Sequence, residues 1–246
     1  FRRRDSPDTG GKCHLNRKQP PARHELKYFI NPAELEVLRR RLLYAMRLDS
    51  HCPGGRPYAV RSLYFDDAFD TAYLDKIAGT ENRDKYRIRI YDLSDAEIFL
   101  ERKRKLGDLI QKSSLRITRR LAEQIISGEP RGLQRAESPL LRDVYAAMRT
   151  GAWKSAVIVD YDRVAFTCPA ETTRITFDTR LRTGISSADL FNPAIATVTP
   201  HDRDVEILEI KFDRYFPHHL GALIADISSE RSAISKYVLC RRYQPI

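Results

Sequence analysis

The sequence predicts an α+β fold: an eight-stranded antiparallel β-barrel tunnel with a basic interior, flanked by helices. Three observations lead there. Eight segments rich in β-formers alternate between side-chain classes with a period of two. Lys and Arg fall on one parity in nearly all of them. Helical patterns lie between and after the strands, without the regular strand–helix repeat of a parallel sheet.

The strand segments are 22–30, 58–65, 85–91, 97–105, 109–117, 156–165, 172–181 and 204–212. Gly107-Asp108 is a hairpin-turn signal between the fourth and fifth. After the first strand, Asn31-Pro32-Ala33-Glu34 supplies an N-cap, a first-turn proline and a capping-box glutamate. Leu35, Leu38, Leu42 and Met46 then follow on one helical face. A short helix over 121–126 stops at Gly128. Ser138-Pro139 opens another, with Leu141, Val144, Tyr145 and Met148 inward and Gly151 at its end. The stretch 217–241 reads as two helical pieces broken near Ser228-Ser229.

Of the 246 residues, 42% are hydrophobic and 31% charged, as in a folded domain and unlike a disordered segment. A net charge of +10 and a pI near 9.5 point to a polyanionic partner without saying which. No apolar run is long enough to cross a bilayer and the N-terminal stretch has no signal-peptide core, so a cytoplasmic location is expected. Residues 1–21, opening Phe1-Arg2-Arg3-Arg4, read as a mobile basic tail ahead of one domain over 22–246. Cys13, Cys52, Cys168 and Cys240 are scattered, which suits free thiols. A zinc site from Cys13-His14 and His51-Cys52 is the weaker alternative.

The charges on the strands carry the functional signal. Residues two apart on a strand share a face. One face collects Arg23, Glu25 and Lys27; Arg87 and Arg89; Glu101, Lys103 and Lys105; Lys112, Ser114 and Arg116; Arg163; Arg174, Asp178 and Arg180; and Glu209 with Lys211. The opposite parity is assigned to Leu26, Tyr28, Ile88, Ile90, Phe99, Ile175 and Phe177, and His24 shares it in a structural role. Solvated faces also alternate, but like charges directly across a ladder repel, so a cation-dominated face across many strands is unusual. Closing the sheet puts those cations inside, to be balanced by a polyanion and metal ions, with the apolar face outward under helices. Aromatics placed mainly on the outward parity weigh against a nucleic-acid reader, which stacks bases on exposed rings.

In chain order, R-H-E-L-K (Arg23 to Lys27), S-L-Y-F-D (Ser62 to Asp66), K-Y-R-I-R-I-Y (Lys85 to Tyr91), E-R-K (Glu101 to Lys103), Q-K-S (Gln111 to Ser113), Y-D-R-V-A-F (Tyr161 to Phe166), R-I-T-F-D (Arg174 to Asp178), L-E-I-K (Leu208 to Lys211) and S-K-Y (Ser235 to Tyr237) follow one another. This order resembles the VTC domain, the polyphosphate polymerase domain of the vacuolar transporter chaperone complex, within the CYTH/triphosphate tunnel metalloenzyme superfamily. The resemblance covers nearly everything after the tail. It implies a phosphotransferase that binds ATP and Mn²⁺ or Mg²⁺ in a basic tunnel and passes the terminal phosphate to a polyphosphate chain. By the motifs, Lys27, Arg87, Arg89, Lys103 and Lys236 serve the reaction, with Lys236 closing the site from the C-terminal helix. Lys112, Arg116, Arg163, Arg174 and Lys211 hold phosphates along the substrate, Tyr161 contacts the nucleoside, and Glu209 holds the metal. Superfamily triphosphatases begin E-x-E-x-K, whereas Arg23 takes the first Glu position here, which favours the polymerase branch. The phosphate-sensing domain and membrane helices of eukaryotic polymerases of the family have no counterpart in these residues.

Phosphoryl transfer asks mainly for alignment and charge stabilisation, so no Ser, Cys or His is nominated as a nucleophile. Two readings stand beside the polymerase: a triphosphatase of the same fold, and a non-catalytic polyphosphate-binding module. No nucleic-acid partner is expected.

Overall fold

The computed structural model describes residues 22–243 apart from 152, 169–171, 186, 202–204 and 229. The tail over 1–21, the Cys13-His14 pair, Asp204 at the start of the last predicted strand and Ser229 lie outside the described residues.

In chain order the elements are β1 (His24–Ile30), α1 (Pro32–Ala45), β2 (Arg47–Leu48), β3 (Tyr58–Asp66), α2 (Thr71–Ile77), β4 (Arg83–Tyr91), β5 (Ser94–Leu106) and β6 (Leu109–Ile117). There follow α3 (Arg119–Ile126), α4 (Pro139–Thr150), β7 (Lys154–Cys168), β8 (Thr173–Gly184), β9 (Thr197–Val198), β10 (Glu206–Phe212), α5 (His218–Ile224) and α6 (Lys236–Arg241). Eight of the strands form one sheet in the order β1-β10-β8-β7-β3-β4-β5-β6, with antiparallel neighbours throughout. The two-residue β2 and β9, which the sequence reading did not include, pair with β7 and β8.

The sheet curls until its edges touch, but it does not close along a full ladder. Arg23 and Ile110 exchange two backbone hydrogen bonds of 3.0 and 3.1 Å. Beyond this bridge β6 runs out at the Gly107–Asp108 turn while β1 continues. There the backbone N–H of Ser232 donates to Lys27 O at 2.9 Å, so the C-terminal segment takes the edge that closure would have used. The predicted closed barrel is therefore a curled, tunnel-like sheet.

Helices cover the outer face. Capping of α1 is reciprocal: Asn31 Oδ1 accepts from Glu34 N at 2.9 Å and Glu34 Oε2 accepts from Asn31 N at 3.0 Å. Leu38 and Leu42 of α1, with Leu220 of α5, bury against Ile175, Phe177, Leu208 and Ile210. Ala122 and Ile125 of α3 and Val144 of α4 bury against Ile88, Ile90 and Leu100. Tyr237 and Cys240 of α6 bury against Val157, Val159 and Leu181. Each fully buried aliphatic contributes roughly 1.5–3 kcal/mol, and all of this apolar packing lies outside the sheet. His24 stacks on Phe212 with ring centroids 5.2 Å apart, a structural contact.

Phe99 is a correction. It shares parity with Glu97 and Glu101, so it faces the inner side with them. Helix α2 is absent from the sequence reading because its seven residues, with only Tyr73, Leu74 and Ile77 apolar at helical spacing, are too few to write a periodic pattern. It forms because Asp66 accepts from the N–H groups of Ala72 and Tyr73 at its first turn. The C-terminal break is also wider than predicted, from Ala225 to Ser235.

Candidate functional site: a cationic tunnel with two unlike mouths

The alternation Arg87-Ile88-Arg89-Ile90 shows how the strands build the site: both isoleucines are fully buried outside and both arginines point inside. Two connected cavities of about 470 and 500 Å³ follow. Glu25, Arg87, Arg89, Lys103, Arg163 and Lys211 line both, and so form a shared waist. Lys27, Tyr161, Glu209 and Lys236 line the first cavity; Lys112 and Arg174 line the second.

In and around the waist each of four carboxylates is matched by cations. Glu101 Oε2 accepts from Arg87 Nε at 2.7 Å, and Lys112 pairs with Oε1. Arg163 grips Asp178 through two bonds of 2.6 and 2.7 Å, and Lys236 Nζ lies 2.5 Å from the same carboxylate. Glu25 takes Lys103 at 2.6 Å. Glu209 sits 3.0 Å from Lys211, 3.5 Å from Lys27 and 3.5 Å from Arg163. Breaking a buried pair of this kind typically costs about 3–5 kcal/mol, so the network is rigid as well as charged.

Burial alone would raise these carboxyl groups, but neighbouring cations outweigh it. Arg163 and Lys236 hold Asp178 at about 2. Lys211, Lys27 and Lys236 keep Glu209 well below the usual carboxylate range. For the lysines burial acts downward. It takes Lys103 to about 8 against the pull of Glu25, and Lys112 to about 8 against Glu101. Lys236 goes the other way: Asp178 and Glu209 overcome its burial and raise it.

Two carboxylates converge on one cationic point. Lys27 Nζ lies 3.5 Å from Glu209 Oε1 and 3.8 Å from Glu25 Oε2. Among the described residues no group of three or more His, Cys, Asp or Glu is placed to hold a metal alone. Hard oxygen donors in this number fit one Mg²⁺ or Mn²⁺, which Glu209 and Glu25 would hold with phosphate oxygens and water completing the set. Zinc is a poorer fit, because Cys52 Sγ is turned into the core, where it accepts from Ala165 N at 3.3 Å.

The tunnel does not collect every predicted residue. Arg116 has the right parity but lies past the rim, where its guanidinium donates to Ala96 O at 2.8 Å and stays exposed. Arg180 is displaced by a register shift between β7 and β8; it adopts a φ of 51° and pairs with Asp162 at the surface. Tyr161 does face the first cavity, yet its hydroxyl accepts from Arg89 at 3.0 Å, and Lys236 and Arg163 stand 5.0 and 5.1 Å from its ring centroid. Cations occupy the places over its ring.

Other groups escaped the sequence reading. Lys85 has the parity of Arg87, and Lys76 arrives on the unforeseen α2. The assignment of aromatics to the outer face also needs correction. Tyr64 faces the first cavity, and its hydroxyl accepts from Arg87 at 2.7 Å. His51, Tyr58, Tyr91 and Phe99 line the second, with neighbouring ring centroids 5.8 to 6.3 Å apart. Alternation along β3 and β4 was the available signal. The weight that outward aromatics placed against a nucleic-acid partner is correspondingly less.

A model of the VTC domain matches residues 22–243. The chain belongs to the VTC domain family. No curated protein sequence matches it. Among solved structures, this VTC domain shares the fold of an adenylate cyclase-like protein from Vibrio parahaemolyticus. The TM-score is 0.50 at 11% identity, over 90% of this chain and 98% of that one. The PH1819 protein from Pyrococcus horikoshii OT3 aligns over 88% of this chain and 97% of its own, at 12% identity and a TM-score of 0.46. No helix of the VTC domain, among the described residues, is long and apolar enough to cross a membrane.

Proposed function

We propose that this VTC domain is a phosphotransferase that moves the terminal phosphate of ATP onto a polyphosphate chain, with Mg²⁺ or Mn²⁺, inside the tunnel. One observation carries the reading: two cavities open on a shared waist of five cations, so donor and acceptor phosphates have room to meet end to end. Arg87, Arg89 and Arg163 offer planar forks to phosphate oxygens, and Lys27, Lys103 and Lys211 offer point charges. An oxygen of the acceptor chain attacks the terminal phosphorus, the bond to the ADP oxygen breaks, and ADP leaves with the negative charge. Lys236, held protonated by Asp178 and Glu209 in the first cavity, is suited to hold phosphate oxygens of the acceptor chain and not to act as a base. A metal ion bound at Glu209 and Glu25 supplies further neutralisation of the phosphate oxygens.

The nucleoside of the donor fits the mouth of rings formed by His51, Tyr58, Tyr91 and Phe99 better than Tyr161, whose ring is flanked by cations. If water took the acceptor's place the tunnel would be a triphosphatase, and Glu25 is the waist carboxylate able to orient it. Arg23, at the position where the hydrolases carry the first glutamate of E-x-E-x-K, pairs instead with Asp213 at 2.9 Å. Incubation with γ-labelled ATP and Mn²⁺ tests the reading. ADP with acid-stable polymer and little free phosphate is expected. One phosphate released per ADP without polymer replaces the polymerase by a triphosphatase, and neither product leaves a binding module.

A further inference from the structure

The two mouths differ in charge compensation. At the ringed mouth, Arg174 pairs with Asp49, Lys112 with Glu101 and Arg23 with Asp213. At the opposite mouth, Lys76, Arg83, Lys85 and Lys105 line the cavity, and none of the four forms an ion pair among the described residues. Their hydrogen bonds are to neutral groups: Lys85 Nζ donates to Ser235 Oγ at 3.2 Å, and Arg83 to the carbonyl of Thr80, while Asp108 at the same mouth and Asp75, which acts on Arg83, both stay beyond ion-pair distance.

The placement concentrates like charge. Arg83 stands directly opposite Lys105 across β4 and β5, and on the next inward rung Lys85 stands opposite Lys103. Like charges directly across a ladder are destabilising. Helix α2, which buries none of its residues, brings Lys76 to the same mouth, within electrostatic reach of Arg83, Lys27 and Lys105. Nothing in the outer packing requires these four cations, and Glu25, Glu209 and Asp178 are already engaged deeper in the tunnel.

We propose that Lys76, Arg83, Lys85 and Lys105 form an outer anion subsite for phosphates of a chain that extends beyond the waist, making this mouth the passage of the polyphosphate end. The proposal rests on the reading of the tunnel as a phosphate-chain site. It separates two ligands of one chemistry. Tripolyphosphate is satisfied by the waist, whereas a long chain reaches the collar as well. Its binding therefore carries extra counterion release and a steeper salt dependence, as for any polyanion neutralised by additional cations.

The test compares the wild-type chain with K76Q/K105Q, two rim positions away from the waist, by calorimetric titration with tripolyphosphate, long-chain polyphosphate and single-stranded DNA at several salt concentrations. The expected result is tripolyphosphate affinity within about twofold of wild type, and long-chain affinity lower by roughly tenfold with a shallower salt slope. Equal losses for both phosphates, or no loss for either, overturn the subsite while leaving the tunnel reading intact. A loss confined to DNA, or as large for DNA as for polyphosphate, overturns it in favour of a general basic patch. Wild-type protein that binds neither phosphate removes the tunnel reading itself, and the subsite with it.

Discussion

Lys27 and Glu209 are cross-strand partners in β1 and β10, and Lys27 Nζ stands 3.5 Å from Glu209 Oε1. The same ammonium is 3.8 Å from Glu25, so one lysine fills the point on which two carboxylates converge. A cation is needed there whether or not metal is bound. On the proposed reading, Glu209 and Glu25 would hold a dication at this point and Lys27 would be free to pair with phosphate oxygens.

Glu209→Gln tests the point. A neutral amide is a weak ligand for a hard cation, and Lys211 and Lys27 lose their nearest counter-charge. Metal-dependent turnover should fall by at least about a hundredfold. Polyphosphate affinity measured without metal should be retained or tighter, because the cations are freer. Full turnover at ordinary Mn²⁺ would exclude Glu209 as the ligand.

Ligand-linked stability gives a second expectation. A ligand bound only by the folded state at a hundred times its Kd adds about 2.7 kcal/mol. For a chain of this size that raises the Tm by roughly 5–10 °C. Tripolyphosphate should do this, and orthophosphate at equal charge should not. Matching shifts from both would indicate a general ionic effect.

The fold was legible because the inward cations have a period of two and the outward aliphatics have the other parity; Ile88 and Ile90 between Arg87 and Arg89 needed no tertiary information. Lys103, Arg163, Lys211 and Lys236 were legible for the same reason or through their motifs. Arg116 and Arg180 failed because parity says which face a residue takes, not where the tunnel ends or where a register shift turns the chain. Lys76 was invisible because α2 is only seven residues long, leaves Leu74 and Ile77 exposed, and is held by the Asp66 cap. The aromatic mouth was missed through counting Phe99 on the wrong parity and leaving Tyr58 and Tyr91 unassigned to either face.

The lysine shifts set a pH dependence. Lys103 faces Glu25, Lys27, Glu209 and Lys211, and Lys112 faces Glu101, Arg87 and Arg89; burial brings both to about 8 from 10.5. Between those values the unfolded chain binds more protons, so the slope of unfolding free energy with pH is positive for these groups. Their penalty on the apo fold is fully present below about pH 8 and is relieved as pH rises toward 10.5. Tripolyphosphate favours the protonated forms, so its affinity should fall between pH 7 and 9. Binding near pH 8 should take up protons, read from titrations in buffers of different ionisation enthalpy. Proton release, or an affinity flat across that range, would contradict the placement of these lysines on the phosphates.

On the proposed reading, the ringed mouth would take the base of the donor and the waist its phosphates. Tyr91 belongs to β4 two residues beyond Arg89, so it stands at the rim just outside the waist. It packs against Tyr58 at 5.9 Å and Phe99 at 6.1 Å, and, unlike for Tyr161, no cation among the described residues lies over its ring. A base stacked there would leave the triphosphate directed toward Arg89 and Arg87. Stacking of one base on an aromatic side chain is worth about 1–3 kcal/mol. Tyr91→Leu keeps apolar bulk and the strand, so ATP should bind roughly 5- to 150-fold more weakly while tripolyphosphate binds as before. GTP and ATP should suffer alike, because stacking reads a ring face and not its hydrogen-bonding edge. If ATP and tripolyphosphate weaken together, Tyr91 supports the waist and not the nucleoside. If neither weakens, the base lies elsewhere and the rings serve only to pack the rim.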